Sequence, residues 1–234
     1  MKIFHEKKHK ILFVLLIIVG VGLRYIVSFR GYNFDFESYQ IVVNILKQNG
    51  NVYAVTDRYN YGPIWFFILQ LLYFIASENY NIFRILLITI LTIADIGIFV
   101  FVRKRFGKMA GFFFFLNPIS IIITGYHNQF DNIAILFGIL AIAQFEKDDS
   151  NHINKKFFLG LIYISLSLIT KHLLFLFPIW LALKQKSCFK KLLSIIFPYV
   201  IFLMSFLPFW KEGNNGIINN VFLYKSWNNG VFYN

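Results

Sequence analysis

Three apolar runs decide what this chain can become. Residues 11–29, 82–102 and 192–209 are each close to the ~20 residues that cross a hydrocarbon core, and none carries more than two charges. Shorter apolar runs lie between them, at 62–77, 109–126, 133–145, 157–170 and 173–183. With 58% hydrophobic residues, 20% aromatic and 15% charged, a soluble domain of 234 residues has no way to bury so much apolar surface. The runs do not alternate polar and apolar positions, so a transmembrane barrel is excluded. The expected fold is an all-α integral membrane protein, a polytopic helical bundle of about seven spans. No repeat or linker divides residues 1–234, so they read as a single transmembrane domain.

The net charge is +12, but the Lys and Arg residues sit between apolar runs and form no continuous stripe. Nucleic-acid binding is therefore not indicated, and the charges act to orient the spans. Cys188 is the only cysteine, which leaves no disulfide framework and no thiolate metal site. The run 11–29 is too long for a signal-peptide core and lacks a small-residue cleavage site, so it reads as a retained span.

Lys2, Lys7, Lys8 and Lys10 place the N-terminus in the cytoplasm. The run 62–77 then poses the topological question, being apolar, short and opened by Pro63. If it stays at the outer surface, fifteen Lys and Arg fall inside and seven outside; if it crosses, the split becomes eight and fourteen. The positive-inside rule selects the first arrangement. Spans then run outward at 11–29, inward at 82–102, and alternately through 109–126, 133–145, 157–170, 173–183 and 192–209. The first external loop holds an amphipathic helix predicted over 37–48, because Tyr39, Val42, Val43 and Leu46 fall at i, i+3, i+4 and i+7.

This topology gathers polar groups from separate loops on the outer face: Asp35 and Glu37, Arg58, His127 with Gln129 and Asp131, and Lys171 with His172. In a chain with only 11 acidic residues, the Asp35-Phe36-Glu37 cluster beside a span stands out. Carboxylates, imidazoles and cations at one membrane surface fit a site for an anionic lipid-linked substrate. Each member also has a structural reading. Asp35 and Asp131 would cap the helices that follow, His127 would be an interfacial residue, and Lys171 would snorkel. Inside the spans, Arg24 reads as a snorkelling residue and Asp95 as a structural polar contact that needs a protein partner. The i, i+2 spacing turns Asp35 and Glu37 apart, so they do not share one task. No cofactor is expected; a divalent cation on Asp35, His127 and Asp131 is the alternative, although these residues lack a ligand-spacing signature. There is no P-loop, no Gly-rich strand–helix turn and no soluble domain to hold a nucleotide, so an activated substrate would arrive as a lipid.

These residues carry a resemblance. The order is a span, Asp35-Phe36-Glu37, an amphipathic helix, Tyr59-Asn60-Tyr61-Gly62-Pro63, Asn117-Pro118, His127-Asn128-Gln129-Phe130-Asp131-Asn132, then Lys171-His172 and Pro178. It resembles the GT-C superfamily of membrane glycosyltransferases, most closely the branch holding bacterial relatives of GPI mannosyltransferases and dolichyl-phosphate-glucose-dependent glucosyltransferases. Those enzymes carry an acidic Asp-x-Glu or Asp-x-Asp-like motif in the first external loop, a Tyr-Pro-Pro-like motif after it, and a later His/Gln/Asp-containing motif. Tyr61-Gly62-Pro63 departs from the second of these by one glycine. The resemblance covers about residues 20–232 and implies interfacial helices in the first external loop. Family members are usually longer, so it also implies that residues 1–234 are the N-terminal catalytic module of a larger chain.

The function so implied is transfer of a hexose from a polyprenyl-phosphate donor to an acceptor hydroxyl on the non-cytoplasmic face, with inversion. Asp35 would be the general base, with Glu37 second. Lys171, with His172 or Arg58, would hold the departing lipid phosphate, while Gln129, Asp131 and His127 would bind sugar hydroxyls or position the loop. The partners are the lipid-linked donor, a glycan, lipid or protein acceptor, and the bilayer, in a bacterial plasma membrane or a eukaryotic endoplasmic reticulum. The alternatives are a transporter or flippase for a lipid-linked sugar, or a non-catalytic assembly subunit.

Overall fold

The computed structural model describes residues 2–148 and 152–224, with residues 2–10 as backbone only. The side chains of Lys2, Lys7, Lys8 and Lys10, and Lys225 with the end Phe232-Tyr233-Asn234, lie outside the described residues. Among the described residues every regular element is helical. The first half of the order is α1 (Lys2–Ser28), α2 (Phe34–Lys47), α3 (Val52–Val55), α4 (Pro63–Ile75), α5 (Tyr80–Phe106), α6 (Lys108–Phe115) and α7 (Pro118–Ile122), which runs into a π-helical turn, Ile123–His127. There follow α8 (Asp131–Phe145), α9 (Lys155–Thr170), α10 (Phe177–Leu183), α11 (Cys188–Met204) and α12 (Trp210–Gly216), the last continuing as a second π turn, Ile217–Phe222.

Three stretches are long and apolar enough to cross a membrane: Ile11–Ser28, Tyr80–Phe106 and Cys188–Phe222. A fourth arises if α6 and α7 with its π turn, bent by 44°, count as one broken span. The break has a local cause, since the Asn117 side chain accepts from the Ile119 N–H and Pro118 opens the new helix. The described residues are thus all-α with three to four candidate spans, where the sequence predicts about seven. The difference lies in helix length. At 15 residues α8 rises only ~22 Å. Residues 173–183, predicted as a span, split into a 3₁₀ turn at His172–Leu174 and the 7-residue α10.

The stretch between α1 and α5 is part of the core. Trp65 stacks on Phe130 at 3.9 Å between ring centroids, and Tyr53 sits among Tyr59, Phe66, Phe206 and Phe209. The buried Tyr59 hydroxyl donates to the Gly62 carbonyl at 2.7 Å and accepts from the Phe66 N–H, fixing the start of α4. Gly62 lies so close to the Ile169 carbonyl that a Cβ there would overlap it, which ties that start to the end of α9. At the other end of α4, Glu78 pairs with Lys47 and Tyr80 donates to Asn44 of α2. Arg84 then donates to the Gly31 carbonyl and to Asn128. Both ends of α4 therefore meet the end of the bundle that carries Asp35.

Deeper in the bundle, Arg24 and Asp95 form a buried ion pair at 2.9 Å, with side chains 0% and 3% exposed. This corrects the reading of Arg24 as a snorkelling residue. Its guanidinium also donates to the Gly20 carbonyl at 2.9 Å, the Phe115 carbonyl at 3.2 Å and the Ser120 hydroxyl at 3.0 Å. Asp95 further accepts from Thr124 at 2.7 Å and Asn132 at 2.9 Å. These bonds link α1, α5, the α6–α7 unit and α8, and they supply the protein partner that a carboxylate inside an apolar helix requires. Gly125 permits the close approach: a Cβ there would overlap the Arg24 backbone.

Candidate active site

Helix α2 begins with a cap from Asn33, whose Oδ1 accepts from the Asp35 N–H at 3.0 Å. Asp35 is therefore not the cap, as its structural reading had it, but a first-turn residue with its carboxylate available. The Asn33 Nδ2 reaches Asp35 Oδ2 at 3.0 Å and His127 Nδ1 at 2.5 Å. Gln129 donates to the same Oδ2 at 3.0 Å. Two amide donors thus hold one oxygen of a half-buried carboxylate, while no described residue hydrogen-bonds Oδ1.

The Asn33 and Gln129 contacts depend on the segment after α7. The π turn ends at Asn128, which adopts the left-handed conformation, φ 58°, that asparagine tolerates. Asn128 donates to the Thr124 carbonyl at 2.9 Å and accepts from Arg84 at 3.2 Å, and its carbonyl accepts from the Tyr39 hydroxyl at 3.2 Å. Held on three sides, this residue delivers His127 and Gln129 to the start of α2.

Asp35 lines a cleft of about 580 Å³ with Tyr39, Arg58, Tyr61, Asn219 and Asn220. The last two are present because α12 is pressed onto α3: Asn51 donates to the Phe209 carbonyl at 2.9 Å, and a Cβ on Gly216 would overlap the Tyr53 carbonyl. The Arg58 guanidinium lies over the Phe34 ring, 3.3 Å from its centroid, and donates to the Phe34 carbonyl at 3.1 Å. Glu37 is exposed, 3.7 Å from Arg58, and does not line the cleft, so the two carboxylates part as their spacing requires.

Lys171 and Asp131 form a second unit, an ion pair at 2.8 Å with side chains 18% and 27% exposed. Asp131 stands in the first turn of α8 but makes no capping bond, and Lys171 is held by Asp131 rather than snorkelling. The ammonium lies 5.1 Å from the centroids of both Tyr61 and Phe130. Tyr61 separates this pair from the Asp35 cleft. Burial raises its phenol pKa, and the charges of Asp35 and Asp131 add to the effect, so it stays protonated as a donor. Burial, followed by the same charges and Tyr61, does the same at Tyr39.

His172 does not join either unit. Its Nδ1 is buried without a hydrogen-bond partner among the described residues, its ring lies 6.1 Å from Phe202, and burial followed by the Lys171 charge lowers its pKa. Among the described residues, no three His, Cys, Asp or Glu side chains converge as metal ligands: Asp131 faces Lys171 and His127 faces Asn33.

Reasoning from sequence gives no site role to Asn33, Tyr39, Tyr61, Arg84 or Asn128, although Tyr39 is placed on the amphipathic helix and Tyr61 and Asn128 within motifs. Asn33 had a signal, an Asx residue at the mouth of a helix. The other four act through tertiary contacts that no local pattern encodes. Set against protein-family models, curated proteins and solved structures, the chain matches none, and the functional reading rests on this geometry and the motifs.

Proposed function

We propose that the protein is a multi-pass membrane glycosyltransferase that moves a hexose from a polyprenyl-phosphate donor to an acceptor hydroxyl on the outer face. The observation that carries this is Asp35, half-buried, with Oδ2 held by two amides and Oδ1 without a described partner, on a cleft of about 580 Å³ that also presents Arg58. In the proposed step the acceptor oxygen attacks the anomeric carbon while the carbon–oxygen bond to phosphate breaks. The phosphate leaves with the bonding pair, and the acceptor proton passes to Asp35. Attack opposite the phosphate inverts the centre. Arg58, fixed on the cleft wall, stabilises the charge that builds on the leaving phosphate. Lys171 serves the phosphate second, because Asp131 already neutralises it. His127 and Gln129 position Asp35 through its amide contacts.

The seven-span arrangement belongs to the same proposal. It is supported by the fifteen-to-seven charge split and by α4, whose two ends meet the same end of the bundle. The test is Asp35→Asn in the natural full-length protein. The substitution keeps the size of the side chain but cannot accept the proton, so transfer from polyprenyl-phosphate hexose should fall roughly 10²–10⁴-fold with normal folding and insertion. Wild-type transfer by this variant overturns the mechanism. Translocation of a lipid-linked sugar across vesicles without any transfer overturns the enzyme reading in favour of a flippase.

A further inference from the structure

A second cleft, of about 480 Å³, opens at the opposite end of the bundle, where α5, α8 and α10 end and α11 begins. We propose that it binds the phosphate head group of an anionic phospholipid. Its lining carries Arg105, Lys184, Lys186 and Lys190 against Glu146 and Asp148. Arg105 pairs with Glu146 at 2.8 Å, and Lys190 pairs with Asp148 at the buried floor. Among the described residues no carboxylate pairs with Lys184 or Lys186, which leaves two positive charges at the rim. The start of α11 adds to them, because Ser187 makes no capping bond and the positive end of a 17-residue helix stays open there.

The surroundings favour a lipid over a soluble anion. Trp180 lines the cleft and lies 5.3 Å from the Lys184 ammonium, ring centroid to nitrogen. Leu183 and Phe189, which flank the two lysines in sequence, are 73% and 61% exposed. Cations inside a cleft bordered by exposed apolar side chains match a head group whose acyl chains lie alongside the protein. Basic cytoplasmic pockets between membrane helices bind lipid phosphates by this chemistry. The site lies at the far end of α8 from Asp131, ~22 Å by helix rise, so it is separate from the Asp35 cleft.

The experiment uses the full chain in neutral detergent, offered phosphatidylglycerol or phosphatidylcholine, with bound lipid measured by native mass spectrometry. Phosphatidylglycerol should be retained over phosphatidylcholine. Lys184→Ala/Lys186→Ala should weaken its retention roughly tenfold to thirtyfold with an unchanged melting temperature and size-exclusion profile, and Lys184→Arg/Lys186→Arg should keep it. Lys211→Ala, an exposed charge at the other end, should change nothing. Equal retention of the two lipids, or retention unaffected by the Ala pair, overturns the proposal. So does complete displacement by millimolar inorganic phosphate, which would make the site one for a free anion. Should the double Ala variant unfold, Lys186→Gln alone, at an exposed position, carries the same test with a smaller loss.

Discussion

Two of the aspartate–cation pairs, Arg24–Asp95 and Lys171–Asp131, show how labour is divided in this molecule. Arg24–Asp95 is sealed, at 0% and 3% exposure, and nearly every donor and acceptor in it is used. Lys171–Asp131 has the same charge and almost the same separation, 2.8 against 2.9 Å, yet it is 18% and 27% exposed and makes fewer bonds. A saturated pair has nothing left to offer a ligand and serves as a fastener. An open pair beside a cleft keeps spare hydrogen-bonding capacity for one. Separation alone does not distinguish the two; burial and the count of satisfied atoms do.

The largest effect should come from the sealed pair. Arg24→Leu leaves Asp95 charged in an apolar interior and should cost about 3–5 kcal/mol, enough to deplete folded protein on size-exclusion chromatography. Arg24→Leu/Asp95→Leu should recover much of that loss, since an apolar pair of similar volume is tolerated. A single variant as stable as wild type would erase the distinction drawn here. Lys171→Ala should cost at most about 1 kcal/mol because the pair is partly solvated. It should also raise the KM for the proposed donor, an effect that Lys171→Arg should partly restore. Unchanged donor kinetics would make Lys171–Asp131 a second fastener.

His172 gives a smaller, pH-dependent effect. Its pKa in the fold lies below the ordinary 6.5, so the unfolded chain binds the extra proton more readily. Its contribution to stability is complete above pH 6.5 and is lost as the pH falls from there toward the lowered value. Melting temperature should drop on acidification below pH 6.5, and His172→Phe should flatten that drop. A slope identical in the variant would assign the pH dependence elsewhere. The smallest effect is expected at Lys47–Glu78, where both side chains are more than half exposed: Lys47→Ala should leave melting temperature unchanged.

Much of the helical, membrane character was legible, because apolar run length and the lack of alternation follow directly from what a bilayer demands of backbone hydrogen bonds. The amphipathic helix was legible too: Tyr39, Val42 and Val43 are buried, although the helix starts at Phe34 rather than near 37. Its cap was misplaced because Asn33 and Asp35 are both good capping residues and only backbone geometry chooses between them. The Arg24–Asp95 pair was missed for a different reason. Its members lie 71 residues apart, and each taken alone reads as a snorkelling end or as a buried cost. Two lone opposite charges in separate apolar runs are a pairing signal only when read together. The span count was the least legible part, because α8, α9 and α10 are short and run length reports apolarity, not where a helix breaks.

Helix α4 has a consequence for the bilayer itself. One stripe of it, Trp65, Phe66, Leu69, Leu72 and Tyr73, is buried in the core, while Phe67, Leu71, Phe74 and Ile75 form an exposed apolar stripe on the other side. Both of its ends meet one end of the bundle. In the proposed topology this helix, ~20 Å long and ~10 Å wide, takes up roughly 200 Å² of the outer leaflet. That arrangement would make the Asp35 side the wider one, a wedge that fits most easily where that leaflet is stretched. Spontaneous curvature, set by the shape of the surrounding lipids, would then act on the end of the molecule that holds the cleft.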